Sequence, residues 1–214
     1  MREFNLLNKY PKLKEPRYVS KNLRTINHRI ISAEREKDFF DGDRNYGYGG
    51  FKYDGRWKKV AENIFKFYKL KENAKILQIG CDKGFLLKDV KKNFPKSRVR
   101  GIESSSYAIN KADSKIKKFI KKGQFCRLPY KNKEFDFVLA IGPVYTLNLE
   151  DAIKCLKEIS RVGKGKSFIT LGSYEKDKDL KLFRNWSLLG STILSKKDWL
   201  TVLKHAKYKG DYKF

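Results

Sequence analysis

From Asn73 onward, short apolar segments alternate with segments that carry apolar residues at helical spacing, and this alternation constrains the fold more than any other feature. The segment Phe135–Ile141 (FDFVLAI) is almost wholly apolar, as is typical of a strand buried on both faces of a sheet. Strands separated by helices of this length indicate a parallel sheet with right-handed crossovers. We therefore expect an α/β fold with a mostly parallel sheet and helices on both faces.

The individual elements follow from the same pattern. The predicted strands are Lys75–Ile79, Arg98–Ile102, Lys117–Ile120, Phe135–Ile141 and Ser167–Leu171, with one more in the final segment YKGDYKF. The predicted helices are Lys83–Asn93, Ser105–Ala112, Leu149–Ser160 and Lys196–Ala206, of which the last follows a Ser195/Asp198 pair that resembles a capping box.

The N-terminal part of the chain reads differently. Ser20–Phe40 carries apolar residues at helical spacing, and the segment from Gly42 to Trp57 is rich in glycine and tyrosine, which predicts a loop with unusual backbone angles. An amphipathic helix, Lys58–Tyr68, follows. We expect residues 1–57 to form a helical and loop cap with an aromatic lid, and residues 58–214 to form the α/β domain.

Composition excludes several classes of protein. Hydrophobic residues make up 40% of the 214 residues, too many for a disordered chain, and no run of about 18 apolar residues is present to span a membrane. The first residues lack an apolar stretch of signal-peptide length, so a cytoplasmic location is expected. Three scattered cysteines and two histidines have no metal-type spacing, and no metal site is expected.

The net charge of +26 comes from 12 arginines and 38 lysines against 24 acidic residues. A polyanion partner such as RNA would produce this excess, but so would a general bias toward solvated lysines, and both interpretations remain open.

The first candidate site is the segment ILQIGCDKGFLL, in which Gly80 and Gly84 permit a tight turn after a strand. A dinucleotide-binding turn would need glycine where Asp82 and Phe85 stand, so binding of a pyrophosphate is not favoured. The alternative is a turn whose glycines serve packing alone.

The second candidate is Glu103, which directly follows the strand ending VRGI. An acid at this position can accept hydrogen bonds from both hydroxyls of a ribose, and it lies 19 residues after Gly84, close to the spacing expected for that role. The alternative is an ordinary acid at the start of the helix that begins near Ser105.

The third segment, residues 123–147, carries a resemblance to a known family. Gly123, Leu128, Pro129 and Tyr130, followed by the pair Phe135–Asp136, match a pattern of class I S-adenosylmethionine-dependent methyltransferases that act on small molecules. The three motifs occur in the order and spacing of that family, over about residues 54–214. The resemblance implies a Rossmann-like fold, S-adenosylmethionine as cofactor and S-adenosylhomocysteine as product.

The resemblance also implies roles for individual residues. It assigns to cofactor binding Gly80, Cys81, Asp82 and Gly84 near the methionine part, Glu103 on the ribose, Ser104, Gln124 and Phe125 around the adenine, and Ala140 and Ile141 beneath the sulfonium. Two positions depart from the family pattern. Gln78 replaces an acid, and Asp82 replaces a glycine, which places a carboxylate nearby.

The remaining candidates concern the acceptor. Tyr145, just past the strand Phe135–Ile141, and His28 in the cap are candidate catalytic residues, each with a structural role as the alternative. We expect Tyr46, Tyr48 and Tyr53 to close over the ligand, and the alternative is that they staple the cap to the sheet. Arg56 is predicted to reach the cofactor carboxylate and Arg184 to contact substrate.

These features favour methyl transfer to a small, polar or anionic acceptor such as a sugar or metabolite. The alternatives are an RNA methyltransferase, which the net charge favours, and a catalytically silent protein that binds S-adenosylmethionine. A small-molecule substrate is the expected partner, nucleic acid is less favoured, and no membrane partner is expected.

Overall fold

A computed structural model describes residues 1–11, 19 and 24–214. Within these residues the helices are α1 (Ile26–Glu34), α2 (Lys37–Asp41), α3 (Lys58–Phe67), α4 (Phe85–Asn93), α5 (Ser106–Asn110), α6 (Ser114–Lys117), α7 (Pro143–Thr146), α8 (Leu149–Val162), α9 (Asp177–Trp186) and α10 (Lys196–His205). The strands are β1 (Lys75–Ile79), β2 (Arg98–Glu103), β3 (Ile120–Lys122), β4 (Phe137–Ala140), β5 (Ser167–Thr170), β6 (Ser173–Tyr174), β7 (Leu194–Ser195) and β8 (Asp211–Lys213).

Six of these strands form the central sheet, in the order β3-β2-β1-β4-β5-β8, and every neighbouring pair is parallel. Strands β1 and β4 lie side by side although β2 and β3 come between them in sequence, so the chain order reverses there. In open parallel sheets such a reversal leaves a crevice beyond the carboxyl ends of the strands, where ligands bind. The predicted α/β class with a parallel sheet is confirmed.

Helices cover the sheet on both faces. On one face the core contains Leu156 and Ile159 of α8 and Leu203 of α10, and on the other it contains Ile64 of α3 and Leu86 of α4. All five side chains are almost completely buried. The sheet is therefore closed to solvent over its central strands, and the carboxyl ends of the strands are the place where it meets the N-terminal part of the chain.

We call residues 24–57 the cap, because α1, α2 and the glycine-rich segment contact the ends of β1 and β2. Phe39 and Phe40 of α2 pack with Phe51 and with the residues of α5 in a small separate core. Two polar contacts fasten this core to the sheet domain: Asp41 accepts from the Lys83 Nζ at 2.7 Å and from the Tyr107 hydroxyl at 2.7 Å.

The first residues of the chain belong with the sheet. The Phe4 amide donates to the Tyr212 carbonyl at 2.8 Å, and the Leu6 side chain is buried in the core beside α3. The division at residue 57 remains a prediction, and the beginning of the chain is not part of the cap. Residues 20–23 of the predicted helical segment Ser20–Phe40 lie outside the described residues.

Two predicted boundaries are wrong for local reasons. The predicted strand Lys117–Ile120 begins instead at Ile120, because the Asp113 side chain accepts from the Lys115 amide and caps the helical turn α6. Helix α4 begins at Phe85 and not at Lys83, because Asp82 and Gly84 adopt positive φ. The predicted Ser195 cap is present, since the Ser195 hydroxyl accepts from the Asp198 amide.

Candidate active site

The turn after β1 forms the floor of the site. Gly80 has a φ of 64°, and a Cβ atom there would approach the Pro143 Cγ within 2.8 Å. Asp82, with a φ of 49°, adopts the left-handed conformation that aspartate tolerates better than most residues. This geometry sends the Asp82 side chain toward the strand ends, where the family pattern has no side chain.

Glu103 ends β2 and is fully buried. Its Oε2 accepts from the Asp82 amide at 2.8 Å, and its Oε1 accepts from the Ser104 and Ser105 amides, each at 2.9 Å. The helix α5 is capped by Ser105 itself, whose hydroxyl accepts from the Ala108 amide. The acid is therefore fixed by backbone donors at the strand end, and it does not act as the N-cap of α5.

A cationic side chain from the cap completes this cluster. Arg35, the C-cap residue of α1, has a φ of 52° and places its Nη2 2.9 Å from the Asp82 Oδ1 and 3.2 Å from the Glu103 Oε1. Burial by itself would lower the pKa of Arg35. The carboxylates of Glu103 and Asp82 outweigh this effect and hold that pKa above its usual value. Burial also raises the pKa of Asp82 to about 6, with a further contribution from Glu103.

Two cavities lie at the strand ends, and Arg35 and Phe125 line both of them. The first, of about 210 Å³, is lined mainly by cap residues and by the ends of β1 and β4. The second, of about 730 Å³, lies along the end of β2 and the face of α1. Residues that line the first include Arg24, Phe39, Arg44, Tyr48, Gly80, Asp82, Ile141, Tyr145 and Trp186, and residues that line the second include Arg29, Ser104, Gln124, Thr146 and Asp151.

The predicted cofactor residues divide between these cavities and the core. Ser104 and Gln124 line the larger cavity, and Gly80, Asp82 and Ile141 line the smaller one. Three others point elsewhere. Ala140 is buried in the core, the Cys81 thiol packs toward Gly101 and burial raises its pKa, and a Cβ on Gly84 would meet Ile116 and Ile120. Any contact that these three make with a ligand would come from the backbone.

The site residues fit a nucleoside attached to an amino acid. The larger cavity offers the Ser104 hydroxyl and the Gln124 amide, and the smaller one lies over a glycine turn. Gln78, near the end of β1, has a buried Oε1 with no hydrogen-bond partner among the described residues. Gln78 lines neither cavity, so a ligand would reach that oxygen only if neighbouring side chains move. The one misfit is Arg35, which holds the carboxylate predicted to bind the ribose.

The glycine-rich segment brings one of its three predicted tyrosines into the site. The Tyr48 hydroxyl donates to the Asp82 Oδ2 at 2.9 Å, and its ring stacks on Phe51 at 4.2 Å. Tyr53 instead donates to the Asp89 Oδ1, and Tyr46 packs against His28, so neither lines a cavity. Tyr46 and Tyr53 therefore fit the alternative interpretation, in which they hold the cap against its neighbours.

The two candidate catalytic residues have different surroundings. Tyr145 lines the smaller cavity, and burial raises the pKa of its hydroxyl. His28 lines neither cavity, because its Nδ1 accepts from the Thr25 amide at 3.0 Å and caps α1. The hypothesis of a catalytic His28 is therefore corrected to a structural role, whereas Tyr145 stays a candidate.

Two predicted arginine contacts are also corrected. Arg56 is held locally by the Asp54 carboxylate, with the Tyr10 hydroxyl at 3.3 Å, and it lines neither cavity. Arg184 is exposed on α9, and it contributes only its carbonyl, which accepts from the Arg29 Nη2. The arginines that do line the cavities are Arg24, Arg29, Arg35 and Arg44. The sequence does not single out Arg35, because it lies between Glu34 and Glu36 and such a run is typical of an exposed, charged surface.

Comparisons with known proteins agree with this geometry. A family model described as a methyltransferase domain matches residues 76–166. The YcgJ protein of Bacillus subtilis superposes with a TM-score of 0.55 at 16% identity, over 68% of this chain and 66% of that one. This chain therefore spans slightly less than two thirds of that protein. No curated protein sequence matches.

Two further solved structures are similar. A putative methyltransferase of Haloferax volcanii, solved with the Trm112 methyltransferase activator, gives a TM-score of 0.54 at 18% identity, with 72% of each chain covered. An S-adenosylmethionine-dependent methyltransferase from Aquifex aeolicus gives 0.50 at 22% identity, covering 72% of this chain and 88% of that one. The predicted resemblance and the Rossmann-like fold are confirmed. No helix in the described part of the chain is long and apolar enough to cross a membrane.

Proposed function

We propose that this chain, which contains a class I S-adenosylmethionine-dependent methyltransferase domain, transfers the methyl group to a small polar or anionic acceptor beneath the cap. The observation that carries this proposal is the cavity of about 210 Å³ between the cap and the ends of β1 and β4. Its size is below the range of sites for drug-sized ligands, so only a small acceptor, or a single group of a larger one, would enter it.

The cofactor would lie across the carboxyl ends of β1, β2 and β4. Ser104, Gln124 and Phe125 would contact its adenine, Glu103 its ribose, and the turn at Gly80 and Asp82 its methionine part. S-adenosylmethionine, when bound, supplies a methyl group on a sulfonium leaving group. The protein's task is then to align the acceptor with that group and to exclude water.

The lining of the smaller cavity supports a polar or anionic acceptor. Arg24 and Arg44 bring guanidinium groups to its wall, and each also donates to a backbone carbonyl, of Trp186 and Gly47 respectively. Guanidinium groups beside aromatic walls suit planar anions such as carboxylates or the oxygens of a phosphate. Tyr145, which lines the same cavity, would orient the acceptor by its hydroxyl.

The cofactor assignment is tested by isothermal titration with S-adenosylhomocysteine. Saturable binding to the ends of the strands would support it, and Glu103→Ala should weaken that binding by about 1–3 kcal/mol. The absence of heat, together with no thermal stabilisation at millimolar ligand, would refute it.

The acceptor class is tested by coupling release of S-adenosylhomocysteine to a panel of sugars and metabolites with and without carboxylate or phosphate groups. Turnover of anionic members that falls in Arg44→Met through a higher KM, with an unchanged Kd for S-adenosylhomocysteine, would support the proposal. Turnover confined to uncharged acceptors would contradict the anionic assignment.

An RNA substrate is the second candidate, because exposed cations cluster at one edge of the sheet. Arg98, Arg100 and Lys121 are exposed there, and the Arg100 guanidinium lies 5.8 Å from the centre of the Phe119 ring. Filter binding with tRNA across a salt series distinguishes the two. Steep salt dependence beyond that of an unrelated polyanion would favour RNA.

A catalytically silent protein is the third candidate, favoured by Gln78 and by the Arg35 contacts with Asp82 and Glu103. Cofactor binding without turnover on either the acceptor panel or RNA would support that interpretation.

A further inference from the structure

Arg35 stands where the cofactor would have to pass. It lines both cavities, and its guanidinium bonds to the carboxylates of Asp82 and Glu103 that lie between them. A ligand that reaches from Gln124 in the larger cavity to Gly80 in the smaller one must cross this position. Ribose binding by Glu103 and the present contacts of Arg35 therefore compete for the same atoms.

The hydrogen bonds of Glu103 make the competition explicit. Its Oε1 already receives the Ser104 and Ser105 amides, the Ser104 hydroxyl at 3.2 Å and Arg35 at 3.2 Å. Its Oε2 receives the Asp82 amide. A carboxylate offers about four acceptor positions over its two oxygens. Glu103 therefore already receives five donors, so a ribose hydroxyl must displace one of them. Three of the five are backbone amides, and the two that can move are the Ser104 hydroxyl and the Arg35 guanidinium.

We propose that Arg35 is a positioning residue that holds Asp82 and Glu103 apart from ligand in the free protein, and that cofactor binding requires its guanidinium to withdraw into the cap. This inference rests on the proposed function, since it assumes the cofactor site. It explains why a cap residue contacts the base of the site, and it couples entry of the cofactor to the part of the molecule that surrounds the acceptor.

The cap offers a place for the withdrawn side chain. The Arg35 guanidinium carbon lies 5.2 Å from the centre of the Phe39 ring and 5.8 Å from that of Phe40, so a small rotation keeps it over an aromatic face. Its Nε is buried and has no partner among the described residues. The contact with these rings would offset part of the cost of releasing the guanidinium from the two carboxylates.

The charge balance gives the inference a specific signature. Without Arg35, two carboxylates face the ligand with no cation beside them. S-adenosylmethionine carries a sulfonium and S-adenosylhomocysteine does not, so the removal of Arg35 should favour the first ligand more than the second. A side chain that serves only to fold the cap would not change the ratio of the two affinities.

The test is isothermal titration of the full chain with each ligand separately. We expect Arg35→Met to tighten S-adenosylmethionine binding by about tenfold or more, since a charge-assisted hydrogen bond no longer competes. We expect a smaller gain for S-adenosylhomocysteine and near wild-type values for Arg35→Lys. Arg56→Met is the matched control, because Arg56 is a cap arginine that is paired with the Asp54 carboxylate and lines neither cavity.

Each other outcome overturns the inference. Weaker or unchanged binding in Arg35→Met means that Arg35 holds the cofactor or plays no part, and an equal gain in Arg56→Met assigns the effect to a loosened cap. If Arg35→Met does not fold, Arg35→Gln removes the charge with a polar head group and is judged by the same criteria. Failure of both wild type and variants to bind refutes the proposed function itself, whereas binding by wild type without the gain refutes only the role of Arg35.

Discussion

Replacement of Glu103 by glutamine is the sharpest perturbation of the site, because it keeps the shape of the side chain and removes one acceptor. Glu103 receives the Asp82 amide on one oxygen and the Ser104 and Ser105 amides on the other. The amide NH₂ of a glutamine must face at least one of these donors. Leaving a buried donor unpaired costs about 1–3 kcal/mol.

Arg35 adds to this cost, because its hydrogen bond to Glu103 would lose the charge of its acceptor. A charge-assisted hydrogen bond contributes about 1.5–3 kcal/mol, and part of that remains when the acceptor is a neutral amide oxygen. We therefore expect Glu103→Gln to lower the free energy of unfolding by about 2–4 kcal/mol. Urea denaturation followed by circular dichroism measures this value.

A matched control separates stability from ligand binding. Glu158 also accepts from a backbone amide and an arginine, the Leu128 amide at 2.7 Å and Arg161 at 2.6 Å, but it lies on α8, is partly exposed and lines neither cavity. Glu158→Gln should cost less stability than Glu103→Gln and leave the Kd for S-adenosylhomocysteine unchanged. Glu103→Gln should cost stability and also weaken the ligand, by about tenfold.

A double-mutant cycle with Arg35→Met completes the measurement. Removal of Arg35 alone leaves two carboxylates without their cation, whereas the same change in Glu103→Gln leaves only one. The two changes should therefore couple by about 1–3 kcal/mol. Additive effects, or Glu103→Gln with wild-type stability, would refute the contacts from which these values are derived.

Three further outcomes follow from the same residues. Gly80→Ala should destabilise the fold more than Gly55→Ala in urea denaturation: their φ values are similar, 64° and 75°, but the new Cβ would approach the Pro143 Cγ within 2.8 Å at Gly80 and nothing nearer than the Tyr53 hydroxyl at 4.0 Å at Gly55. Because the pKa of Asp82 is raised to about 6, the folded chain keeps this proton up to higher pH than the unfolded chain, where it is lost near pH 4. Ionisation of Asp82 therefore lowers stability as the pH rises from about 4 to 6, and Asp82→Asn should flatten that part of the stability curve in denaturation at stepped pH. Tyr145→Phe should lower kcat or raise KM and leave the Kd for S-adenosylhomocysteine within about twofold, a change of about 0.4 kcal/mol, whereas a larger shift in that Kd would assign Tyr145 to the cofactor.

The parallel sheet could be predicted because buried strands carry their signal locally. The bounds of β1 match the apolar segment Lys75–Ile79, since every residue from Ile76 to Ile79 is buried. The strand predicted at Lys117–Ile120 begins instead at Ile120, because the apolar residues in and just before this range, Ile116, Phe119 and Ile120, fit a helical turn followed by a strand as well as they fit one strand. Only the Asp113 cap decides between them.

The ends of the strands were predictable for the same reason, since Gly80, Glu103 and Gln124 occupy positions that the sheet itself brings together. The cap was not. Arg56 and Arg35 are both arginines near acidic residues, and the sequence gives no ground to prefer either. Arg56 is satisfied two residues away by Asp54, whereas Arg35 crosses to Asp82 and Glu103, a contact over 47 and 68 residues that only the packing of α1 decides.

The departure from the family pattern at Asp82 can be understood from its contacts. Asp82 adopts a left-handed backbone conformation, and its buried carboxylate needs hydrogen-bond donors. Arg35 and Tyr48 each donate to it at 2.9 Å. Both partners come from the cap, one from the end of α1 and the other from the glycine-rich segment. Asp82 therefore ties the turn after β1 to the two cap segments beside the acceptor cavity. In a turn with glycine at this position, Tyr48 would lose this anchor and Arg35 would keep only its contact with Glu103.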